Sequence, residues 1–340
     1  MSNKFLSTTS AFLLSTSMLV ADVPKVTVDI APVHSLVSKV MNGVGKPDLI
    51  IPAGASPHEY QLKPSNAQSL EDADIVFWVG EDLTPWLEKG LSSLAQDASI
   101  TSLLGVDGIE LLSFREGALF EAHDHDDHDD HGKKKHDDHD DHDDHDDHDD
   151  HGKKKHDDHD DHDDHEGHAH GEYDPHAWLS PQIAKVWLNV IAAKLSEMDP
   201  DNAAKYFSNA KSARDNVDSL VSEVNSILDP MRDKKFVVFH DAYQYFEKDF
   251  GISASGAISL GDASDPSPAR LAEIRKRVVD EAVECVLAEP QYKQGLVKAV
   301  VEGTNANTAV IDPLGVKLES GPNLYENLIR NLATNLAKCF

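Results

Sequence analysis

The sequence predicts an α/β protein in which two parallel-sheet α/β domains are joined by one long rigid helix. Two observations predict it. Short apolar runs alternate with longer amphipathic stretches on both sides of a charged central segment, and one long helical pattern separates the two halves. Alternating strands and helices are typical of parallel sheets, because each pair of parallel strands needs a crossover connection. Outside the charged segment and the N-terminal leader, about 270 residues remain, which suits two domains.

The first half contains three apolar runs that we expect to form buried strands, at residues 26–30, 48–51 and 74–80. Helices are predicted at residues 33–41 and 64–72, the second of which opens on Pro64, a residue suited to a first helical turn. Residues 22–198, including the charged segment, are therefore predicted to form an N-terminal domain.

The second half repeats this alternation, with predicted strands at residues 235–240, 252–258, 285–290 and 308–312. Residues 231–340 are predicted to form a C-terminal domain. Between the halves, residues 199–230 carry apolar side chains at intervals of three and four, which predicts a linker helix of about 27 residues and roughly 40 Å. The apolar positions that define it are Phe207, Ala210, Val217, Leu220, Val221, Val224, Ile227 and Leu228.

The N-terminus has the layout of a secretory signal peptide. A lysine precedes an apolar run too short to span a bilayer, and small residues follow up to Ala21. We expect residues 1–21 to be removed on export to the periplasm. No later stretch of 18 or more apolar residues occurs, so the mature chain is not expected to span a membrane.

A His- and Asp-rich segment, residues 123–170, interrupts the first half. It contains 16 of the 20 histidines, with 21 Asp and one Glu against six Lys, and therefore carries more than half of the net charge of −30. Closely spaced Asp residues repel one another and form helices poorly, so a disordered loop is predicted. Such a balance excludes a nucleic-acid-binding surface. Its histidines are His123, His125, His128, His131, His136, His139, His142, His145, His148, His151, His156, His159, His162, His165, His168 and His170.

Three of the other four histidines point to a metal site. His58 and His240 follow predicted strands, and His176 lies in a Pro-bounded loop. Ligands bind parallel sheets at the carboxyl ends of the strands, so these imidazoles can converge in a cleft. Three imidazoles plus a carboxylate or water suit Zn²⁺, with Asp312 or Glu59 as candidate fourth ligand.

The fourth histidine and the two cysteines have simpler interpretations. His34 opens a helix, where it can serve the backbone or orient a ligand. Cys285 and Cys339 can pair in an exported protein, or they can be separate buried thiols.

Six motifs in order give the sequence a resemblance to a known family. They are "PAGASPHEYQLKPS", "DADIVFWVGEDLTPWLEK", "DPHAWLSP", "FHDAYQYFEKDFG", "AEPQY" and "IDPLG". Together they resemble the periplasmic zinc-binding proteins of bacterial ABC importers, whose two domains are joined by a single long helix. The resemblance covers nearly all of the mature chain. It implies capture of Zn²⁺ and delivery to an ABC permease and its ATPase by a monomeric protein with no enzymatic activity.

The resemblance also implies site residues. The zinc histidines of the family match His58, His176 and His240, and manganese-binding relatives carry a carboxylate at the position of His240. Asp312 matches a carboxylate ligand of several relatives. Other zinc members use water or a glutamate just before the first histidine, where this chain has Pro57. A cysteine pair in the second domain is also common in the family, consistent with a Cys285–Cys339 disulfide.

Other function classes remain open from the sequence. One is a manganese- or iron-binding relative, and another is a periplasmic zinc buffer or adhesin that holds metal without passing it on. A zinc hydrolase is disfavoured, because it needs a base such as Glu59 or Asp241 in a catalytic spacing and no "HExxH" pattern occurs. For the His-rich loop, the hypothesis is an auxiliary metal-collecting or sensing segment, with an acidic solubilising insert as the alternative.

Overall fold

The computed structural model describes residues 23–115, 120, 173–259 and 266–340. These residues belong to one compact unit, comprising 1–120 and 171–340. The predicted signal peptide and the His-rich segment lie outside the described residues. Within the described ranges, no helix has the length and apolar character needed to cross a membrane.

The first sheet has four parallel strands in the order β2-β1-β3-β4. The strands are β1 (Val26–Val28), β2 (Asp48–Leu49), β3 (Ile75–Trp78) and β4 (Ser99–Ser102). Helices α1 (Ala31–Val40), α2 (Pro64–Glu71) and α3 (Pro85–Leu94) connect them. The apolar runs of β1 and β3 are fully buried, as predicted. The sequence analysis missed β4 because its residues, "SITS", are mostly polar and only one of them is buried.

Asp29 links the ends of the two central strands of this sheet. Its side chain is fully buried. Oδ2 accepts the backbone N–H of Val79 at 2.6 Å, and Oδ1 accepts that of Ile30 at 2.7 Å. Burial raises the pKa of the Asp29 carboxyl to about 7, although these backbone hydrogen bonds oppose the shift. The group is therefore protonated in the folded protein at a pH where it is ionised in the unfolded chain.

This buried carboxyl predicts a pH dependence of stability. Since the folded pKa lies above the unfolded one, the folded state holds the extra proton, and the free energy of unfolding falls as pH rises from about 4 to about 7. Asp29→Asn removes this slope. Between about pH 5 and pH 8 we expect the free energy of unfolding of the metal-free wild type to fall by about 2–3 kcal/mol more than that of Asp29→Asn. Urea unfolding measures this difference. Identical pH profiles would contradict the assignment.

Helices α4 (Pro181–Met198) and α5 (Ala203–Leu228) lead from the first sheet to the second. The 26 residues of α5 agree with the predicted linker helix. Its buried stripe passes through Tyr206, whose hydroxyl donates to Asp199 at 2.7 Å, and not through Phe207, which is 49% exposed. The spacing of apolar positions is compatible with burial of either residue. The hydrogen bond to Asp199 favours burial of Tyr206, because it satisfies the hydroxyl. The residues buried along α5 are Tyr206, Ala210, Ala213, Val217, Leu220, Val224 and Leu228.

The second sheet repeats the first, with parallel strands in the order β6-β5-β7-β8. Its strands are β5 (Phe236–His240), β6 (Ala257–Ser259), β7 (Cys285–Ala288) and β8 (Asn307–Val310). Its helices are α6 (Gln244–Phe250), α7 (Pro268–Asp280), α8 (Gln294–Val301) and α9 (Leu324–Ala337). The two α/β halves and the long helix confirm the predicted fold class, while the residue limits of the domains stay a prediction.

A disulfide and a helix contact stabilise the second half and join it to the first. Cys285, at the start of β7, is bonded to Cys339, 54 residues later, which confirms the pairing. Closing such a loop stabilises a fold by roughly 4 kcal/mol on the chain-entropy model. Helix α9 packs on α1, where the backbone N–H of Tyr325 donates to Ser35 Oγ at 3.0 Å. The Tyr325 hydroxyl donates to the carbonyl of Trp178, beside the predicted metal ligand His176.

Candidate metal centre

The three predicted zinc histidines line one small cavity. His176 and His240 are almost completely buried, with 4% and 3% of their surface exposed, and His58 is half-buried. The ring of His176 lies 5.6 Å from that of His58 and 5.3 Å from that of His240, measured between centroids. The structure therefore brings together residues that are 118 and 64 positions apart in the chain, as the sequence predicts.

His240 is fixed by the second sheet. It is the last residue of β5, and β7 lies beside it in the sheet. Glu289, just after β7, places Oε1 at 2.7 Å from Nδ1 of His240 and accepts the His240 backbone N–H at 3.4 Å. Glu289 is only 1% exposed. A buried carboxylate therefore sets the orientation of this imidazole.

His176 is held by an equivalent carboxylate. Asp174 Oδ1 lies 2.7 Å from His176 Nδ1 and accepts the His176 backbone N–H at 2.9 Å. Helix α6 fixes Asp174 in turn, since Gln244 Nε2 donates to its Oδ2 at 3.2 Å and the Tyr245 hydroxyl donates to its carbonyl at 2.9 Å. The position of His176 thus depends on contacts from the second half of the chain.

His58 lies in the loop between β2 and α2. Its backbone N–H donates to Ser56 Oγ at 3.3 Å. The indole of Trp86, on α3, donates to the carbonyl of the preceding residue, Pro57, at 2.7 Å. These contacts hold the loop at the cavity.

The electrostatic arrangement of His176 and His240 suits a cation. With each Nδ1 donating its proton to a carboxylate, each Nε2 carries a lone pair, and the two Nε2 atoms lie 3.4 Å apart. Two lone pairs at this distance repel each other unless a positive charge lies between them. Histidines that bind metals commonly donate the other ring N–H to a carboxylate in this way.

The third imidazole lines the same cavity as the pair formed by His176 and His240, whose Nε2 atoms are 3.4 Å apart. The His58 ring centroid lies 5.6 Å from that of His176. Within the ranges that the structure describes, no three His, Cys, Asp or Glu side chains stand at metal-ligand spacing.

The other predicted candidates are not among the residues that line the cavity. Asp312, two residues beyond β8, accepts backbone N–H groups with both carboxylate oxygens, at 2.6 Å from Val316 and 3.0 Å from Gly315. Glu59 is exposed. His34, on α1, has Nε2 at 3.1 Å from the carbonyl of Pro47, so it serves the backbone. Burial lowers the pKa of His34.

A buried ion-pair network lies next to the site. Arg115 Nη1 donates to Glu247 Oε2 at 2.8 Å, and its Nε and Nη2 bond Asp241, the residue after His240. Burial raises the pKa of Asp241, and the guanidinium opposes that shift. Asp241 is therefore held by Arg115 and is not placed to activate a water molecule in the cavity.

Sequence reasoning missed the residues that orient the imidazoles. Asp174 carries a usable signal, because it lies two positions before His176 in the motif "DPHAWLSP". Glu289 and Gln291 have a weaker one: they follow the strand that pairs with the strand of His240, and that pairing is not readable from the sequence. Trp178 and Tyr292 complete the lining through ring contacts with His176 and His240, at 5.1 and 5.6 Å.

Together, the fold and the cavity define a class of protein: two-lobed α/β binding proteins whose lobes are linked by a long helix. The chain belongs to the family described as "Zinc-uptake complex component A periplasmic", whose model matches residues 26–339.

Two relatives agree with this membership. The chain is 47% identical over 332 residues to the high-affinity zinc uptake system protein ZnuA of Brucella abortus (strain 2308), covering 97% of this chain and 96% of the relative. It is 45% identical over 320 residues to ZnuA of Paracoccus denitrificans (strain Pd 1222), covering 94% and 92%.

Two solved structures are similar in fold. A structure of ZnuA aligns with a TM-score of 0.70 at 20% identity, covering 94% of this chain and 99% of that one. The Mn²⁺ complex of FpvC from Pseudomonas aeruginosa aligns with a TM-score of 0.69 at 17% identity, covering 93% and 97%.

Proposed function

We propose that this protein binds Zn²⁺ in the periplasm and delivers it to an ABC permease and its ATPase for high-affinity zinc uptake. Membership of the zinc-uptake family supports the proposal, as do two relatives named as high-affinity zinc uptake proteins at 45% identity or more. Residues 1–21 act as the export signal in this proposal, and the mature protein works as a monomer.

The spacing of the two buried imidazoles carries the proposal. Two nitrogen ligands of a tetrahedral Zn²⁺, each about 2.0–2.1 Å from the ion, lie about 3.4 Å from each other. The Nε2 atoms of His176 and His240 are 3.4 Å apart. Asp174 and Glu289, both 1% exposed, supply two negative charges behind these rings, which balance a divalent ion in a buried site.

The ligand set we propose is His58, His176 and His240. Three imidazoles favour Zn²⁺ over Mn²⁺, which prefers oxygen ligands. Binding would draw the His58 ring onto the preorganised pair, so capture would involve a movement of its loop. Asp312 stays only a prediction for the fourth position; its carboxylate accepts three backbone N–H groups in the turn after β8.

A binding protein explains the site better than a hydrolase. A hydrolase needs a general base within reach of a zinc-bound water. Asp241 is bonded to Arg115, and Glu59 is exposed and does not line the cavity. We therefore assign the cavity to binding and release. The segment 123–170 is proposed as an auxiliary collector whose tethered imidazoles raise the local concentration of Zn²⁺.

Metal competition and transfer test this function. Purified protein is stripped, exposed to equal concentrations of Zn²⁺, Mn²⁺ and Fe²⁺, and analysed for bound elements. We expect Zn²⁺ to fill the tight site, and cells whose zinc uptake depends on this protein to stop growing in zinc-poor medium when its gene is deleted. A tight site filled by manganese or iron would overturn the zinc assignment. Unimpaired growth of the cells that lack the gene would indicate a zinc buffer that does not supply the importer.

A further inference from the structure

We infer that Gln291, and not Asp312, presents the fourth donor to the ion, and that this donor is the amide oxygen Oε1. The inference rests on the proposed function, since it concerns the same cavity. Gln291 lies three residues beyond β7 and lines the cavity together with the three histidines. Asp312, beyond the neighbouring strand β8, does not line it.

The carboxylate of Asp312 is committed to the backbone. Oδ1 accepts the N–H groups of Leu314 and Gly315 at 3.1 and 3.0 Å, and Oδ2 accepts that of Val316 at 2.6 Å. These bonds close the turn after β8. Any movement of the Asp312 carboxylate toward the ion would weaken these bonds, and backbone N–H groups left without an acceptor in a partly buried turn are unfavourable.

The same carboxylate orients Gln291. The Gln291 amide nitrogen, Nε2, donates to Asp312 Oδ1 at 3.4 Å. The opposite amide orientation would place Oε1 against a carboxylate oxygen, which is repulsive, because both are acceptors. Asp312 therefore selects the orientation in which Oε1 points away from it.

That orientation leaves Oε1 of Gln291 buried, with no hydrogen-bond partner among the residues that the structure describes. A buried carbonyl oxygen without a partner is costly in a cleft, and a cation satisfies it. In this inference Asp312 is not a ligand itself. Its carboxylate positions the Gln291 amide, and the amide oxygen Oε1 binds the ion.

A neutral fourth donor has a chemical consequence. Three imidazoles and an amide carry no charge, so the negative charge that balances the ion comes from Asp174 and Glu289, which lie behind the rings. A carboxylate ligand would instead add the oxygen charge that Mn²⁺ favours. An amide at this position therefore supports discrimination in favour of Zn²⁺.

The test compares Gln291→Leu with Gln294→Leu, an exposed glutamine at the start of α8 that serves as the matched control. In the full-length protein we expect Gln291→Leu to weaken tight Zn²⁺ binding about 10- to 100-fold. The loss is smaller than for an imidazole, because a neutral amide oxygen is a weaker ligand for Zn²⁺ than a ring nitrogen. The visible spectrum of the Co²⁺-loaded protein should change as well, because it responds to the donor atoms. Gln294→Leu should alter neither readout.

Asp312→Asn completes a double-mutant cycle. If Asp312 acts through Gln291, the combined variant should bind Zn²⁺ no more weakly than Gln291→Leu alone. Thermal unfolding of the metal-free variants checks that each is folded. Unchanged affinity and Co²⁺ spectrum in Gln291→Leu would overturn the inference, even if Asp312→Asn failed to fold. If the histidine variants also kept tight Zn²⁺, the proposed function itself would fail.

Discussion

Replacing His58, His176 or His240 by alanine is expected to weaken tight Zn²⁺ binding by more than about 100-fold. Each change removes one of the three ligands that we propose, and outer partners alone are worth about 10- to 100-fold. His240→Ala and His176→Ala carry an added penalty, since each leaves a buried carboxylate, Glu289 or Asp174, without the ring that it orients. Competition titrations against a chelator of known affinity measure the effect.

His34→Ala is the matched control for these variants. Its ring is bonded to the backbone carbonyl of Pro47 and does not line the cavity, so the tight site should be retained. Similar losses at all four histidines would indicate a general effect on folding. Full affinity in His240→Ala would show that the ion does not bind between the two preorganised imidazoles.

Deletion of residues 123–170 is expected to lower total Zn²⁺ stoichiometry by several ions per chain while the tightest phase of the isotherm is kept. The segment contains 16 histidines, and an imidazole can bind zinc when it is neutral. The ligands that we propose for the tight site all belong to the compact unit that excludes residues 121–170. Isothermal titration of the metal-free proteins separates the two classes of site.

The deletion also has a cellular readout. Growth should suffer mainly when zinc is scarce, because collecting ions near the cleft limits uptake only then. An unchanged stoichiometry would mean that these histidines are not ligands and that the segment is an acidic solubilising insert. Loss of the tight phase, or of the thermal transition, would instead give the segment a structural role.

The sequence predicts those parts of the fold and the site that depend on local patterns. Buried strands such as β1, β3 and β5 are continuous apolar runs, and parallel sheets place their functional residues where the strands end. His58 and His240 could therefore be placed near a cleft without coordinates. The polar edge strand β4 carried no such signal.

Residues whose roles depend on strand order were not predictable in the same way. Glu289 meets His240 because β5 and β7 are adjacent, and Gln291 meets Asp312 because β7 and β8 are adjacent. A family motif pointed to Asp312 as a ligand. The three backbone N–H groups that Asp312 accepts, at residues 314–316, depend on how the chain turns after β8. The spacing of residue types in the sequence does not reveal that turn.

Anomalous diffraction at the zinc edge tests the central claim most directly. Crystals of the protein loaded with one equivalent of Zn²⁺ should show their strongest peak in the cleft, about 2.0–2.1 Å from Nε2 of His176 and of His240, with a ring nitrogen of His58 drawn to the same distance. A strongest peak outside the cleft, or one in the cleft without His240 among its ligands, would contradict the account.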